Sequence, residues 1–267
     1  MSFAISGKSA IVTGAANGVG LAIARHFVER GANVMFADSD EERLTKELGV
    51  VEDEKGTARS FAGDLRERLT VANLISATLD AFDRVDILVN AARVMAPSDP
   101  LSAEDDSMLD LLNANLLTSH RMTQACARRM VAQQEDGSKG PAGSIINISS
   151  IAARRTMPEL LAYSVSSAAL DQLTRSMAVA LAPHRIRVNA IALGSVMSAS
   201  LQGALKQHEE FREQIIEGTP LARIASAAEL AEVAQFLASD GSGFMTGQIL
   251  TVDGGRTLVD ATEAPVH

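Results

Sequence analysis

The chain has 267 residues, 46% of them apolar but only 3% aromatic, and a formal net charge of −9. The apolar share supports a sizeable core built from aliphatic side chains and Met, while the acidic balance repels phosphate backbones and excludes nucleic acid as an expected partner. One cysteine, Cys126, excludes an internal disulfide framework and suits a reducing compartment, and with no signal peptide and no apolar run of about 18 residues the expectation is a cytoplasmic protein without a membrane span.

Short apolar runs alternate with longer amphipathic ones. Residues 9–13 (SAIVT) read as a buried strand, followed by helical spacing over 18–30 with Val19, Ile23 and Phe27 on one face. Residues 33–37 (NVMFA) form a second strand, 57–62 a weaker third, 69–82 a helix and 86–89 (DILV) a fourth strand. A long helix is expected over 110–132, a polar surface loop over 133–143 and a fifth strand over 144–148 (SIINI). A helix over 160–181 precedes a sixth strand at 187–191 (RVNAI). Ser226 with Glu229 forms a capping box opening a helix to about Leu237, and 248–252 (QILTV) is a seventh strand. This alternation predicts an α/β fold: one domain over residues 1–267, a doubly wound parallel seven-stranded sheet with helices on both faces. Residues 198–217, within a stretch of about 195–220, show no strand signal and carry Lys206, Glu209, Glu210 and Arg212. They read as a helical insertion over the edge where such sheets bind ligands.

The turn after the first strand is Thr13-Gly14-Ala15-Ala16-Asn17-Gly18-Val19-Gly20. Glycines at that place let the backbone approach a phosphate, and the helix it opens offers free N–H groups and partial positive charge. A tight structural turn would use the same residues. Asp38 ends the second strand, where a carboxylate can accept from both ribose hydroxyls and repel a 2′-phosphate; no Arg or Lys stands among Ala15, Ala16, Asn17, Ser39 and Asp40. NAD is therefore favoured over NADP, the alternative being a solvated Asp or a helix cap. Asp64, Leu65 and Asn90 fall on the same sheet edge.

The TGAANGVG turn, Asp64-Leu65, Asn90, Asn115 in NANLLTS, Ser150 in INISS and Tyr163 in YSVSS together resemble the short-chain dehydrogenase/reductase family, from about Lys8 to Gly255. The ending GQILTVDGG is similar to the branch of carrier-protein reductases and small-alcohol or sugar dehydrogenases. The resemblance implies a Rossmann-type domain, assembled as a homotetramer or homodimer, that moves hydride between nicotinamide and a carbonyl or alcohol. It implies Tyr163 as acid/base, Ser150 as the group polarising the substrate oxygen and Asn115 as a relay that holds water. Gly14, Asn17, Gly18, Val19, Gly20, Asp38, Asp64, Leu65, Asn90, Ala91, Ala92 and Tyr163 would line the cofactor, with Gly194, Val196 and Ser198 at its nicotinamide end.

Three positions depart from the family pattern. Ser167 stands one helical turn after Tyr163, where the family has lysine; Arg93 stands where it has glycine, after Asn90-Ala91-Ala92; and Leu193-Gly194 replaces Pro-Gly. A free phenol is ionised in roughly one molecule in a thousand at neutral pH, and a nearby cation raises that fraction. Losing the lysine leaves two expectations: an impaired member that serves as a dinucleotide-binding or assembly subunit, or a relocated cation. Arg93 is the first candidate for that cation, with Arg154 and Arg155 behind it. The pocket rim mixes Met95, Met157, Met197 and Leu201 with these arginines, which fits an alcohol or ketone with an apolar body and an anionic group. His26, His120, His184, His208 and His267 are scattered, so no metal site is expected.

Overall fold

The buried runs do pair into a sheet. A computed structural model describes residues 3–49, 57–134, 140–208 and 210–260. Its strands are β1 (Ser9–Thr13), β2 (Asn33–Asp38), β3 (Ala58–Ala62), β4 (Ile87–Asn90), β5 (Gly143–Ser150), β6 (Ile186–Leu193), β7 (Val196–Met197), β8 (Ala225–Ser226) and β9 (Ile249–Val252). Seven of them form one parallel sheet in the order β3-β2-β1-β4-β5-β6-β9. The helices are α1 (Gly18–Glu29), α2 (Glu41–Leu48), α3 (Arg68–Phe82), α4 (Ser107–Leu111), α5 (Thr118–Ala132), α6 (Leu161–Leu181), α7 (Ala199–Gln207), α8 (Glu210–Glu217) and α9 (Ala227–Ala238).

Side chains alternate across the strands and are buried on both faces, which is why these strands read as continuous apolar runs. Val12, Val34, Phe36, Val89, Ile146 and Ile191 meet α1 and α9 through Ile23, Phe27, Leu230 and Leu237. Ile11, Met35, Leu88, Ile145 and Val188 face the other way onto Leu74, Met122, Cys126 and Met130 of α3 and α5. This is the doubly wound Rossmann-type sheet that the alternation predicts.

Register brings the strand ends together. Thr13 pairs with both Ala37 and Asn90, Asn90 with Asn147, and Ser150 with Leu193. The chain winds outward in opposite directions from β1 and β4, so the crevice between their carboxyl ends is the topological switch point where such sheets bind ligands.

Four differences from the sequence reading have physical causes. Helix α2 buries only Leu44 and lacks an apolar stripe, but Asp40 caps it by accepting from the Arg43 N–H at 3.0 Å. The helix read over 110–132 begins at Ser107, and Leu112–Leu117 wind as a π-helical segment between α4 and α5. Strands β7 and β8 pair Val196 with Ala225 and Met197 with Ser226, a long-range pairing of two-residue strands that local patterning does not reveal. Strands β5 and β6 run eight residues each, longer than their apolar cores, because Ser149, Ser150, Ala192 and Leu193 continue the ladder. The insertion is helical, as α7 and α8. Glu209, His267 and residues 135–139 of the expected loop lie outside the described residues.

Candidate active site

The glycine turn is shaped by close approaches. Gly14 has φ +67°, and a Cβ there would lie 2.7 Å from the Ala92 nitrogen and Cα. A Cβ on Gly20 would meet the Gly14 carbonyl oxygen at 2.2 Å. The turn therefore packs directly against the segment leaving β4. Thr13 locks the two together, its Oγ1 accepting from the N–H groups of Ala91 and Ala92 at 3.1 Å each. Asn17 caps α1 with extended backbone but makes no side-chain bond to its first turn, which carries no acidic residue. Those N–H groups are free of a side-chain cap and suit an anion. Gly18 lies opposite Ser198, and Val19 packs on the core.

Asp38 is anchored to the same turn. Its Oδ2 accepts from the Ala16 N–H at 3.0 Å and its Oδ1 from the Asp40 N–H at 3.2 Å, which leaves lone pairs for ribose hydroxyls. Arg43, the first cation after it, is paired with Asp40 at 3.3 Å. An uncapped glycine turn with a carboxylate beside it fits a nicotinamide dinucleotide. Farther along the edge, Arg66 grips Asp64 with Nη2 at 2.7 Å and Nε at 3.0 Å, and this holds the Asp64 carboxyl below the usual carboxylate range. Leu65 buries its side chain in the core, so only its backbone is on offer to a ligand.

Asn90 begins a buried polar chain. Its Nδ2 donates to Asn147 Oδ1 at 2.9 Å, and Asn147 Nδ2 donates to Thr174 Oγ1 at 2.9 Å, tying β4, β5 and α6 together. Sequence reading did not single out Thr13, Asn147, Thr174 or Arg66. Polar residues within or beside strands and helices, which is all the sequence offered there, also describe ordinary solvated positions.

Tyr163 lies in the first turn of α6 and is 4% exposed. It lines a small, partly open cavity with Ala92, Arg93, Asn115, Ile148 and Ser167. Arg93 Nη1 donates to the Tyr163 Oη at 2.6 Å, with the guanidinium carbon 5.9 Å from the ring centroid. Ser167 does not reach the phenol: its Oγ donates to the Tyr163 carbonyl at 2.8 Å, within the helix. Asn115, in the π-helical segment, accepts from the Val94 N–H at 2.7 Å and donates to the Val94 carbonyl at 2.9 Å and to Ser166 Oγ at 3.2 Å. Its amide hydrogens are thereby committed to protein partners.

Ser150 ends β5, and its Oγ accepts from the Ala152 N–H at 3.1 Å. The turn that follows packs on α6, where Ala152 shares an apolar cluster with Tyr163, Leu111 and Ala162. Ser150 itself does not line the Arg93–Tyr163 cavity. Arg154 bonds Thr251 Oγ1 at 3.3 Å and Arg155 bonds the Thr257 carbonyl, so neither takes the phenol. Gly194 donates to the Val252 carbonyl at 3.0 Å, and a Cβ there would press on Asp253 at 2.9 Å. Val196 is buried in β7, and Ser198 caps α7 by accepting from the Leu201 N–H at 3.2 Å. Among the described residues no group of three His, Cys, Asp or Glu could hold a metal ion, and no helix is long and apolar enough to cross a membrane.

A family model described as enoyl-(acyl carrier protein) reductase matches residues 14–257. This chain belongs to the short-chain dehydrogenase/reductase family. A 3-oxoacyl-[acyl-carrier-protein] reductase of Chlamydia trachomatis is 32% identical over 96% of this chain and 99% of its own. An uncharacterised oxidoreductase of Mycobacterium tuberculosis is 34% identical over 96% and 94%. Among solved structures, a protein described as a short-chain alcohol dehydrogenase from Sinorhizobium meliloti superposes with a TM-score of 0.89 at 28% identity, covering 97% of this chain and 99% of its own. A 7α-hydroxysteroid dehydrogenase, solved with NADH and a 7-oxo bile acid, gives 0.87 at 29% identity over 95% of each chain. Relatives along the whole chain are oxidoreductases, and this short-chain dehydrogenase/reductase is an enzyme whose family binds a nicotinamide dinucleotide.

Proposed function

We propose that this enzyme is a cytoplasmic NAD(H)-dependent oxidoreductase that interconverts a secondary alcohol and its ketone. The observation that carries the reading is a buried phenol, Tyr163, facing a cavity at the carboxyl edge of the sheet beside an uncapped glycine turn. A bound nicotinamide dinucleotide supplies the hydride acceptor or donor. Tyr163 Oη moves the proton to or from the substrate oxygen, and the Ser150 hydroxyl orients that oxygen, a role taken from the family pattern. Asn115 pins the segment that carries Arg93.

Asp38 supports NAD over NADP, because a 2′-phosphate would place two negative groups together, and Arg43, the first cation after Asp38, is already paired with Asp40. The substrate reading, an apolar body with an anionic group, rests on exposed Met95 and Met157 at a rim that also carries Arg93. Exposed Leu109, Leu117, Leu161 and Val165 on the packed helices α4 to α6 support assembly with further copies of this chain. The lone buried Cys126 supports a reducing compartment.

Titration of NADH and NADPH into the purified protein, followed by turnover over a panel of secondary alcohols and ketones, tests the reading. NADH is expected to bind at least about tenfold more tightly than NADPH, equivalent to about 1.4 kcal/mol, with the gap closing in Asp38→Asn. Equal binding, or a preference for NADPH, defeats the NAD assignment. The second reading, a dinucleotide-binding subunit without turnover, is favoured by Ser167 and wins if NADH binds but no pair in the panel reacts.

A further inference from the structure

We propose that the Arg93 guanidinium is the cation that stabilises the Tyr163 phenolate, held there from the loop after β4. The inference rests on the reading of Tyr163 as the proton-transfer group. It begins from a donor count. A guanidinium has five N–H donors, no acceptor and a permanent charge. In the 2.6 Å contact Arg93 therefore donates and Tyr163 Oη accepts. The phenol's own proton is left free to go to a third group, the substrate oxygen. When that proton leaves, the contact becomes a charge-assisted bond between opposite charges, stronger than the one it replaces.

Among the described residues no other group supplies that charge. Among the described residues that line the cavity, Arg93 is the charged one. The hydroxyls of Ser166 and Ser167 both donate to the Tyr163 carbonyl, at 3.0 and 2.8 Å. Asp110 of α4, Arg154 and Arg155 of the turn after β5, Glu159 before α6 and His120 and Arg121 of α5 do not line the cavity. Asp171, farther along α6, accepts from Ser149 Oγ at 2.6 Å.

The placement of Arg93 is built rather than incidental. Thr13 holds the N–H groups of the two residues before it, Ala91 and Ala92, and Asn115 holds both the N–H and the C=O of the residue after it, Val94. The backbone that aims the guanidinium is thus held on both sides by buried polar side chains. Arg93 is exposed and its contact with Tyr163 is part-buried, so solvent screens the pair until dinucleotide and substrate cover the mouth. In oxidation the substrate hydroxyl proton passes to the Tyr163 phenolate oxygen, which becomes neutral phenol. In reduction the phenol gives its proton to the substrate oxygen, and the charge left on Oη faces Arg93. A bound dinucleotide would take the hydride from the substrate carbon in oxidation and supply it in reduction.

Tyr163 is the only tyrosine and there is no tryptophan, so the near-ultraviolet tyrosinate band reads this one residue with neither cofactor nor substrate present. The titration compares the parent with Arg93→Met, Arg93→Lys and the double variant Arg93→Met with Ser167→Lys, using Tyr163→Phe as the blank and circular dichroism to follow folding. At a pH where only a small fraction of the phenol is ionised, Arg93→Met is expected to hold about tenfold less tyrosinate than the parent. Arg93→Lys should keep much of the signal, and the double variant should regain it. Added guanidinium ion at millimolar concentration should raise tyrosinate in Arg93→Met but not in the parent. Equal tyrosinate in the parent and Arg93→Met, or ionisation of both only on unfolding, overturns the inference. Turnover separates it from the function it rests on. A tyrosinate shift without turnover in the parent keeps Arg93 and removes the oxidoreductase reading; turnover in the parent with no shift does the reverse.

Discussion

Single residues in this enzyme act through what stands next to them. Gly14 is required twice over: its φ of +67° is left-handed backbone, and its missing Cβ makes room for the Ala92 peptide at 2.7 Å. Gly14→Ala is expected to cost about 1–3 kcal/mol from the backbone alone and to push the glycine turn off the β4 segment. Thermal unfolding should fall and NADH binding should weaken together; a variant with parental stability and binding would contradict the packing described. Arg93 shows the opposite case, a large side chain gained where the family keeps glycine. The residue types of the turn, of Asp38 and of Tyr163 were legible because each answers a local demand. The Arg93–Tyr163 contact was legible only as one candidate among three arginines, because 70 residues of chain separate the partners.

At the scale of elements, caps and strand ends do the positioning. Helix α9 opens on Ser226, whose N–H donates to Glu229 Oε2 at 2.9 Å, and Arg223 grips the same carboxylate at 2.6 and 2.8 Å. Chiefly because of the Arg223 contact, Glu229 is pushed down to about 2 from an ordinary 4.5. A depressed carboxyl stabilises the fold above its unfolded value and loses that contribution as pH falls toward the folded one. The melting temperature of Glu229→Gln should therefore lie below the parent's at pH 7, and the gap should narrow between about pH 4.5 and 2. The carboxylate is solvent-exposed, so salt should shrink the gap as well. A gap that widens on acidification would refute the assignment. This capping box was readable from two residues three apart. Helix α2 was not, having one buried residue, and the π-helical segment was not, since nothing in LNANLL sets it apart from an α-helix.

Across the whole molecule, two apolar layers enclose a sheet that has no solvent-facing side at its centre. Cys126 lies in one of them, on α5 and fully buried, and burial pushes its thiol up to about 12. With neither access nor thiolate, it should resist alkylation near pH 8 in the folded protein and react promptly in denaturant. The labelling rate then reports opening of the α3–α5 layer, and rapid modification of the native state would mean that this layer is not closed as described. Arg187 is also buried: its guanidinium is held by the Leu237 and Ser239 carbonyls at 2.8 and 3.0 Å and by Ser242 Oγ at 2.8 Å, which joins β6 to the end of α9.

The sequence by itself determined the strand–helix alternation, the parallel class of the sheet and the glycine turn, because periodicity and turn chemistry act over a few residues. It also raised Tyr163 as a candidate, with serine one turn later where the resemblance expects a lysine. Only the tertiary structure decided which arginine meets the phenol. Only it showed that Asn115 and Thr13 hold that arginine's backbone, that Ser167 is spent on its own helix, and that Asn90, Asn147 and Thr174 form one chain. Those facts depend on strand register and helix placement, which bring distant residues within a bond length and which no local pattern encodes.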